Sequence, residues 1–489
     1  MNHIINHAFR YETEKLIRAF FPFEQINTSE IPDGDERYIV SSEDADAESA
    51  RLFAEICLSG NRLSAEETVT RGGAGDYEWL TLRERKLAAL IFGLLVKETG
   101  YRPPWGILTG IRPSKLMSGF CRDFGEKEAL RRFTEDYLVS EEKAALALTV
   151  AKNEQRIMNA SGPDSYSLYV SIPFCPSRCS YCSFVSASNE QAKKLIPEYV
   201  LKLERELEYT AEIADALSLR LKSIYIGGGT PTALSASQLK AVTDAVKKHF
   251  HPGKEVEYTV EAGRPDSIDE EKLNVIKDCG AERISVNPQT FNDDVLRAIG
   301  RRHSAGQTVS AVEAARRAGF ESINMDLIAG LPGESFESFA ASVEKTLSLR
   351  PENITVHTLS VKRSSSLSDD GNVFFAANEA VRMLAFASKR LTESGYKPYY
   401  MYRQSKCLGN LENVGWSLPG HECEYNVQMM EETHTVLAAG AGAVSKLKNS
   451  KRIERIFNFK YPFEYIAQFD EILGRKSRIA EFYAEDRQN

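Results

Sequence analysis

Six short runs rich in β-branched and aromatic residues, at 167–172, 223–226, 255–260, 283–286, 322–327 and 353–358, alternate with amphipathic helical stretches such as 196–216 and 236–250. This alternation restricts the fold more than any other feature of the chain. Strands separated by a helix pair in parallel through right-handed crossovers, so the pattern gives an α/β sheet curved into a barrel and excludes a sandwich. Six units fall short of the eight of a complete TIM-type barrel. The expectation is a partial (β/α)6 barrel whose lateral opening admits a large substrate, with its site at the C-terminal ends of the strands.

The flanks differ in texture and set the domain expectation: an N-terminal accessory domain over 1–160, the barrel over 161–365, and a C-terminal α+β domain on the substrate side over 366–489. The first part holds an acidic segment, 29–48, and helical patterns at 80–97 and 127–155. Between those patterns, 101–116 is dense in Pro, Gly, Arg and Trp, which suits an ordered loop. That loop reads as a rigid connector, with an arginine contact to carboxylates or to the barrel mouth as the alternative. A Ser/Asp/Gly-rich turn at 364–372 marks the start of the tail.

No run of 18 apolar residues occurs, and 1–11 has no apolar core of a signal peptide, so neither a membrane span nor secretion is expected and the cytoplasm is the expected location. Five of the eight cysteines, Cys57, Cys121, Cys279, Cys407 and Cys423, are scattered and make no disulfide framework. A net charge of −8 argues against a nucleic-acid partner.

The other three, Cys175, Cys179 and Cys182, follow the first barrel strand in a C-x3-C-x2-C arrangement. Three thiolates and no fourth are too few for a closed structural zinc site. An electron-transfer 4Fe–4S cluster has a cysteine for each iron, so this loop suits a cluster with one iron left open to a substrate or cofactor. After the second strand, Gly227-Gly228-Gly229-Thr230-Pro231 permits close backbone approach at the functional end of the barrel.

The run Cys175-Pro176-Ser177-Arg178-Cys179-Ser180-Tyr181-Cys182 resembles the cluster loop of the radical S-adenosylmethionine (SAM) enzymes. The flank Tyr169-Val170-Ser171-Ile172-Pro173-Phe174 is similar to the branch holding oxygen-independent coproporphyrinogen III dehydrogenase and the related haem chaperone. The resemblance implies two cofactors, a 4Fe–4S cluster on Cys175, Cys179 and Cys182, and SAM chelated at the open iron through its amino and carboxylate groups. Gly228, Gly229 and Thr230 correspond to the segment that holds the amino end of SAM. Glu261, Gln289 in Asn287-Pro288-Gln289-Thr290, Arg301 in Gly300-Arg301-Arg302-His303, and Asp326 in Asn324-Met325-Asp326 correspond to further SAM contacts, with Arg301 suited by guanidinium geometry to a carboxylate. Tyr169, Tyr181 and Thr358 join them, as does Val444 in the later run Ala439-Gly440-Ala441-Gly442-Ala443-Val444. A long N-terminal addition resembles the HemZ-like form of this family.

The pattern departs in two places. Dehydrogenases carry a further cysteine two positions beyond the third ligand, where this chain has Phe184 as the chaperones do; the chaperone's haem-associated His is here Tyr425, in Tyr425-Asn426-Val427-Gln428. The resemblance implies an oxidoreductase that converts coproporphyrinogen III to protoporphyrinogen IX without oxygen, served by an electron donor such as flavodoxin or ferredoxin and by an electron acceptor. Two alternatives stand beside it: a haem carrier without decarboxylase activity, and a radical SAM enzyme for another large substrate.

Overall fold

The computed structural model describes the chain except residues 23, 29–36, 59, 183–186, 189–191, 193, 361–372, 405, 406 and 489. The chain divides into two compact units, one of Met1–Ala151, Thr358–Arg382 and Met401–Asn413, the other of Lys152–His357, Met383–Tyr400 and Val414–Asn489. Among the described residues no helix is long and apolar enough to cross a membrane.

The first unit opens with a five-stranded sheet in the order β2-β1-β3-β4-β5, formed by β1 (Asn2–Asn6), β2 (Asn27–Thr28), β3 (Tyr38–Ala45), β4 (Ser49–Cys57) and β5 (Arg62–Thr70). Alternate residues of β4, Ala50, Leu52, Ala54 and Ile56, are fully buried, as a two-residue period on a one-sided sheet requires. The helix Asp76–Thr99 packs on β4 and buries Leu87, Ile91 and Leu95. The helical pattern at 127–155 is not one helix. It splits into Glu126–Arg131, a π-turn at Arg132–Asp136, a left-handed Leu138 (φ 57°) and a second helix, Glu141–Met158.

The break exists because the Pro/Gly/Trp loop inserts there. Ile107 N donates to Tyr137 O (3.0 Å), Ser140 N donates to Pro104 O (2.8 Å), and a Cβ on Gly106 would lie 2.2 Å from Tyr137 O. The loop is shorter than its composition suggests: it ends at Arg112, and Pro113–Leu116 open the helix Pro113–Phe124, with proline at the first helical position, where its missing N–H costs nothing. Trp105 is 0% exposed and donates through Nε1 to Glu412 (2.7 Å), whose other oxygen takes Lys143 Nζ at 2.6 Å. Arg403 lies over the Trp105 ring and donates to the carbonyls of Leu108 (2.6 Å) and Gly110 (3.1 Å).

A second sheet has eleven strands. Its centre is β6 (Ser165–Ile172), β9 (Arg220–Gly228), β10 (Glu257–Gly263), β11 (Arg283–Val286), β12 (Ser322–Ala329) and β13 (Asn353–Thr358), in that order. The ladders from β6 to β12 are parallel. All six expected strands are therefore present. Strand β10 continues past the expected end to Gly263, with a bulge between Glu261 and Gly263. Two short strands, β7 (Phe174–Cys175) and β8 (Ala187–Ser188), pair at the cysteine loop. The chain then adds β14 (Lys397–Arg403), β15 (Glu412–Ser417), β16 (Thr435–Ala439), β17 (Val444–Lys448) and β18 (Ile453–Phe457). Strand β15 runs antiparallel to β13, while β16 lies parallel to β6, from Thr435 opposite Tyr166 to Ala439 opposite Val170. Part of the tail is thus built into the barrel sheet. Leu168, Val170, Ile172, Ile224, Ile226 and Val260 form the buried centre under helices such as Ile196–Ala216 and Ala236–Phe250.

The N-terminal ends of the strands are closed by residues 418–431. Leu418 N donates to Glu352 O (2.9 Å), Arg283 and Asn353 both donate to His421 O (2.9 and 2.5 Å), and the Glu257 carboxylate accepts from Glu424 N (2.8 Å) and Tyr425 N (3.0 Å). Above this plug is a polar cavity of about 20 Å³ lined by Tyr225, Thr259, Arg283, Asn324, Asn353 and Cys423, among others. Thr259 Oγ1, Arg283 Nε and Asn353 Oδ1 are buried there without a hydrogen-bond partner among the described residues, Glu257 Oε2 standing 3.7 Å from Arg283 Nε. One donor and two acceptors around a space larger than the roughly 10–15 Å³ a single water needs suit one ordered water. A high-resolution crystal structure should show it, and density-free space between those three atoms would contradict the assignment. In the first unit, Lys143→Met should strand the buried Glu412 carboxylate and cost about 3–5 kcal/mol, read as a lowered denaturation midpoint. Burial raises the Glu412 carboxyl, but Lys143 and Trp105 hold it below the ordinary range, so the pair stabilises above the unfolded glutamate value and is lost as pH falls through the depressed one.

Candidate functional site

The chain leaves β6 at Ile172 and enters the cysteine loop through Phe174–Cys175. Both edges of that loop are tied down. Gly229 N donates to Ile172 O and Thr230 N to Phe174 O, each at 2.8 Å, and Cys175 Sγ lies 3.5 Å from Thr230 Oγ1. A Cβ on Gly229 would meet Phe174 O at 2.6 Å and Cys175 Sγ at 3.0 Å. Glycine is required there, and Gly228 (φ 107°) takes a backbone conformation that other residues avoid. At the far edge, Ser180 N donates to Ile299 O (3.1 Å) and Ser177 Oγ to Gly300 O (3.1 Å).

Cys179 is buried, and Cys175 and Cys182 are partly exposed. Among the described residues no three His, Cys, Asp or Glu side chains converge as ligands of one metal ion do. Thiolates in one short loop, with glycine backbone against the first of them, are a donor set that fits an iron–sulfur cluster. Phe184, the residue that departs from the dehydrogenase pattern, lies outside the described residues.

The bulged end of β10 places Glu261 beside the glycine turn: a Cβ on Gly227 would approach its carboxylate to 3.0 Å. Tyr225 Oη donates to Glu261 Oε1 at 2.5 Å. Burial pushes the Glu261 carboxyl up to about 7, with the Asp326 charge adding to the rise and the Tyr225 bond opposing it. Asp326, from β12, accepts from Asn324 Nδ2 (2.8 Å) and has His357 Nε2 at 3.6 Å. Burial raises its carboxyl, and His357 and Asn324 outweigh that to hold it below the usual range.

Gln289 is buried with φ 69°; its N–H donates to Asp326 O (2.9 Å) and its carbonyl accepts from Ile328 N (3.0 Å). Arg301 is buried and donates to Tyr181 Oη (3.1 Å) and Asn287 O (2.8 Å), with no carboxylate partner among the described residues. A buried guanidinium whose fork meets only neutral oxygens is a ready anion receptor.

Tyr169, Tyr225 and Tyr425 stack inside the barrel, with ring centroids 4.5 Å apart for Tyr225 and Tyr425 and 6.1 Å for Tyr169 and Tyr425. Gly228, Gly229, Thr230, Glu261 and Gln289 lie at or just past the C-terminal ends of β9, β10 and β11, Tyr169 and Asp326 lie within β6 and β12, Tyr181 and the cysteines lie in the loop after β6, and Arg301 follows the helix Asp293–Ala298. Thr358 ends β13 with its hydroxyl on Glu412 O (2.7 Å) and its N–H on Asn413 (2.9 Å). Val444 opens β17 opposite Phe457.

Sequence reasoning missed Tyr225, Arg264, His357 and the stacked position of Tyr425. Arg264 follows Glu261 by three residues, and its Nη1 reaches Cys179 Sγ at 3.6 Å. A basic residue just beyond a barrel strand was the available signal. Nothing in the chain marks the other three before the strands are in register.

Residues 169–346 match the Radical SAM superfamily. Proteins of that superfamily use a 4Fe–4S cluster and SAM. The haem chaperone HemW of Bacillus subtilis is 40% identical over 197 residues, which span 40% of this chain and 51% of HemW. Among solved structures, the coproporphyrinogen III oxidase HemN of Escherichia coli, a radical SAM enzyme, is similar in fold with a TM-score of 0.50 at 23% identity, over 66% of this chain and 72% of that one. The oxygen-independent coproporphyrinogen-III oxidase-like protein HemZ of Bacillus subtilis is 38% identical over 407 residues, 81% of this chain and 80% of HemZ. Likeness over that much of both chains, with the barrel and its cysteine loop inside it, establishes membership: this chain belongs to the radical SAM superfamily, in the HemZ-like branch of the oxygen-independent coproporphyrinogen-III oxidase family, related to the haem chaperones.

Proposed function

We propose that the protein is an oxidoreductase of porphyrin synthesis that turns a propionate of coproporphyrinogen III into a vinyl group without oxygen, with loss of CO₂, toward protoporphyrinogen IX. In this reading Cys175, Cys179 and Cys182 hold the cluster. The glycine turn at Gly228, Gly229 and Thr230 takes the amino end of SAM, Glu261 and Asp326 face its cationic groups, and Gln289 adds a polar contact. Arg301 takes its carboxylate, Tyr169 and Tyr181 line the pocket, and Val444 bounds it. When bound, the cluster and SAM supply hydrogen-atom abstraction at an unactivated carbon. The chain's part is to fix the reacting groups and to keep water away from them, which buried Arg301, Gln289 and the tyrosine stack support. An electron donor of flavodoxin or ferredoxin type and an electron acceptor complete the cycle.

The observation that favours this reading over a haem carrier is the burial of Tyr425. It stands where the chaperone's His is expected, is 5% exposed, and is stacked against Tyr169 and Tyr225. A side chain so enclosed offers no axial ligand to a haem iron. The likeness to the chaperone HemW supports the carrier as the second reading.

Anaerobic reconstitution followed by SAM, reductant and coproporphyrinogen III decides between them. Vinyl-porphyrin formation with SAM consumption is expected, and Cys175→Ala, Cys179→Ala and Cys182→Ala together should abolish both along with the bound iron and sulfide. Tight one-to-one haem binding with a defined axial-ligand spectrum and no CO₂ release would establish the carrier instead. Glu261 yields a separate prediction. A carboxyl raised to about 7 is neutral below that pH, so SAM affinity measured by anaerobic calorimetry should fall as pH drops from 8 to 6, and Glu261→Gln should flatten the profile. A wild-type affinity constant across that range would remove Glu261 from the pocket.

A further inference from the structure

Arg264 is 3% exposed and sits just past Gly263, whose φ of 63° turns the chain at the end of β10 back over the cysteine loop. Its guanidinium is fully committed. Nε and Nη2 form a two-point bond with Asp266 (2.9 and 2.8 Å), which fixes the plane of the fork. Nη1 then points away from the acid, toward Ser177 Oγ at 3.1 Å and Cys179 Sγ at 3.6 Å. Ser177 already donates its hydroxyl hydrogen to Gly300 O, so it accepts from Arg264. Anchoring the loop needs only that serine. The second Nη1 hydrogen is directed at sulfur.

We propose that Arg264, oriented by Asp266, donates an N–H to the Cys179 thiolate and so raises the reduction potential of the cluster held by the cysteine loop. This rests on the reading that Cys175, Cys179 and Cys182 carry that cluster. An added electron increases the negative charge on the ligand sulfurs, so a hydrogen bond to one of them is stronger in the reduced state than in the oxidised state. That difference is a rise in potential, and it is larger where protein excludes water, as it does around buried Cys179. Asp266 opposes part of the guanidinium charge while holding its direction, so the two residues act on the potential with opposite signs. Arg264 is a tuning and positioning residue for reduction, the step that any electron donor must accomplish first.

The test uses the full-length protein reconstituted anaerobically, as wild type, Arg264→Gln, Arg264→Lys and Asp266→Asn. Iron and sulfide content reports loading, and an EPR-monitored redox titration reports the midpoint. Arg264→Gln should load and titrate lower, with the reduced-to-oxidised ratio at a fixed potential falling about tenfold, equivalent to about 59 mV for one electron. Arg264→Lys should fall by less, because it keeps the charge and loses the fork. Asp266→Asn should rise. An unchanged midpoint in Arg264→Gln at full loading overturns the proposal, as do shifts of the same sign in Arg264→Gln and Asp266→Asn, which a merely structural role would produce. If Arg264→Gln fails to load, the opposed shifts of Asp266→Asn and Arg264→Lys carry the measurement. A wild-type chain that takes up no cluster fails the cysteine reading itself, a result separable from a loaded protein with an unmoved midpoint.

Discussion

The backbone of Gly229 passes so close to Phe174 and Cys175 that no side chain fits between them, and most of the site follows from that contact. Two 2.8 Å backbone hydrogen bonds lock the glycine turn after β9 to the segment leaving β6, so the first cysteine is placed by the sheet and not by its own loop. The opposite edge of the loop hangs on the carbonyls of Ile299 and Gly300, next to Arg301. A loop held from both sides brings a thiolate set and an anion-receiving guanidinium into one rigid frame. Such fixed geometry is what a reaction that must confine a reactive species demands.

The other end of the barrel is closed just as firmly, and by polar means. Glu257, Arg283 and Asn353 stand at the starts of three strands and bind the backbone of the segment that carries Tyr425. The helix Glu424–Glu431 can therefore send Tyr425 up the barrel axis to stack on Tyr225, which in turn holds Glu261. A residue near the end of the chain thus supports a carboxylate at the mouth through one aromatic contact and one hydrogen bond. The same enclosure separates position 425 from any role that needs an exposed ligand.

The barrel was legible because its strands are dense in Val, Ile and aromatic residues and its helices are amphipathic. Where those signals fade, the reading stopped short. Strand β10 extends through Glu261, Ala262 and Gly263, none of them β-branched, because pairing with β11 carries it on. The N-terminal meander was hidden by charge: β5 alternates polar residues such as Glu66 on a face that stays wet. The break between Glu126–Arg131 and Glu141–Met158 was invisible to helical periodicity, since its cause is a loop that claims the Tyr137 carbonyl from Ile107, far earlier in the chain. In the candidate site, residues that a motif marks were legible in the sequence and residues brought in by juxtaposition were not. Arg264 and Cys179 are 85 positions apart, and the ladders from β6 to β9 and from β9 to β10, with the turn at Gly263, make them neighbours.

Gln289 combines two demands that pull on its identity in different directions. Its positive φ favours glycine or asparagine, and both its main-chain groups are committed to β12 beside Asp326. A long carboxamide in that conformation is kept against backbone preference. Selection for folding alone would drift this position toward glycine, whereas the proposed SAM contact would hold it at glutamine. A library sorted first for solubility and then for turnover would therefore rank the substitutions at 289 in nearly opposite orders, which separates the cost of building this pocket from the benefit of using it.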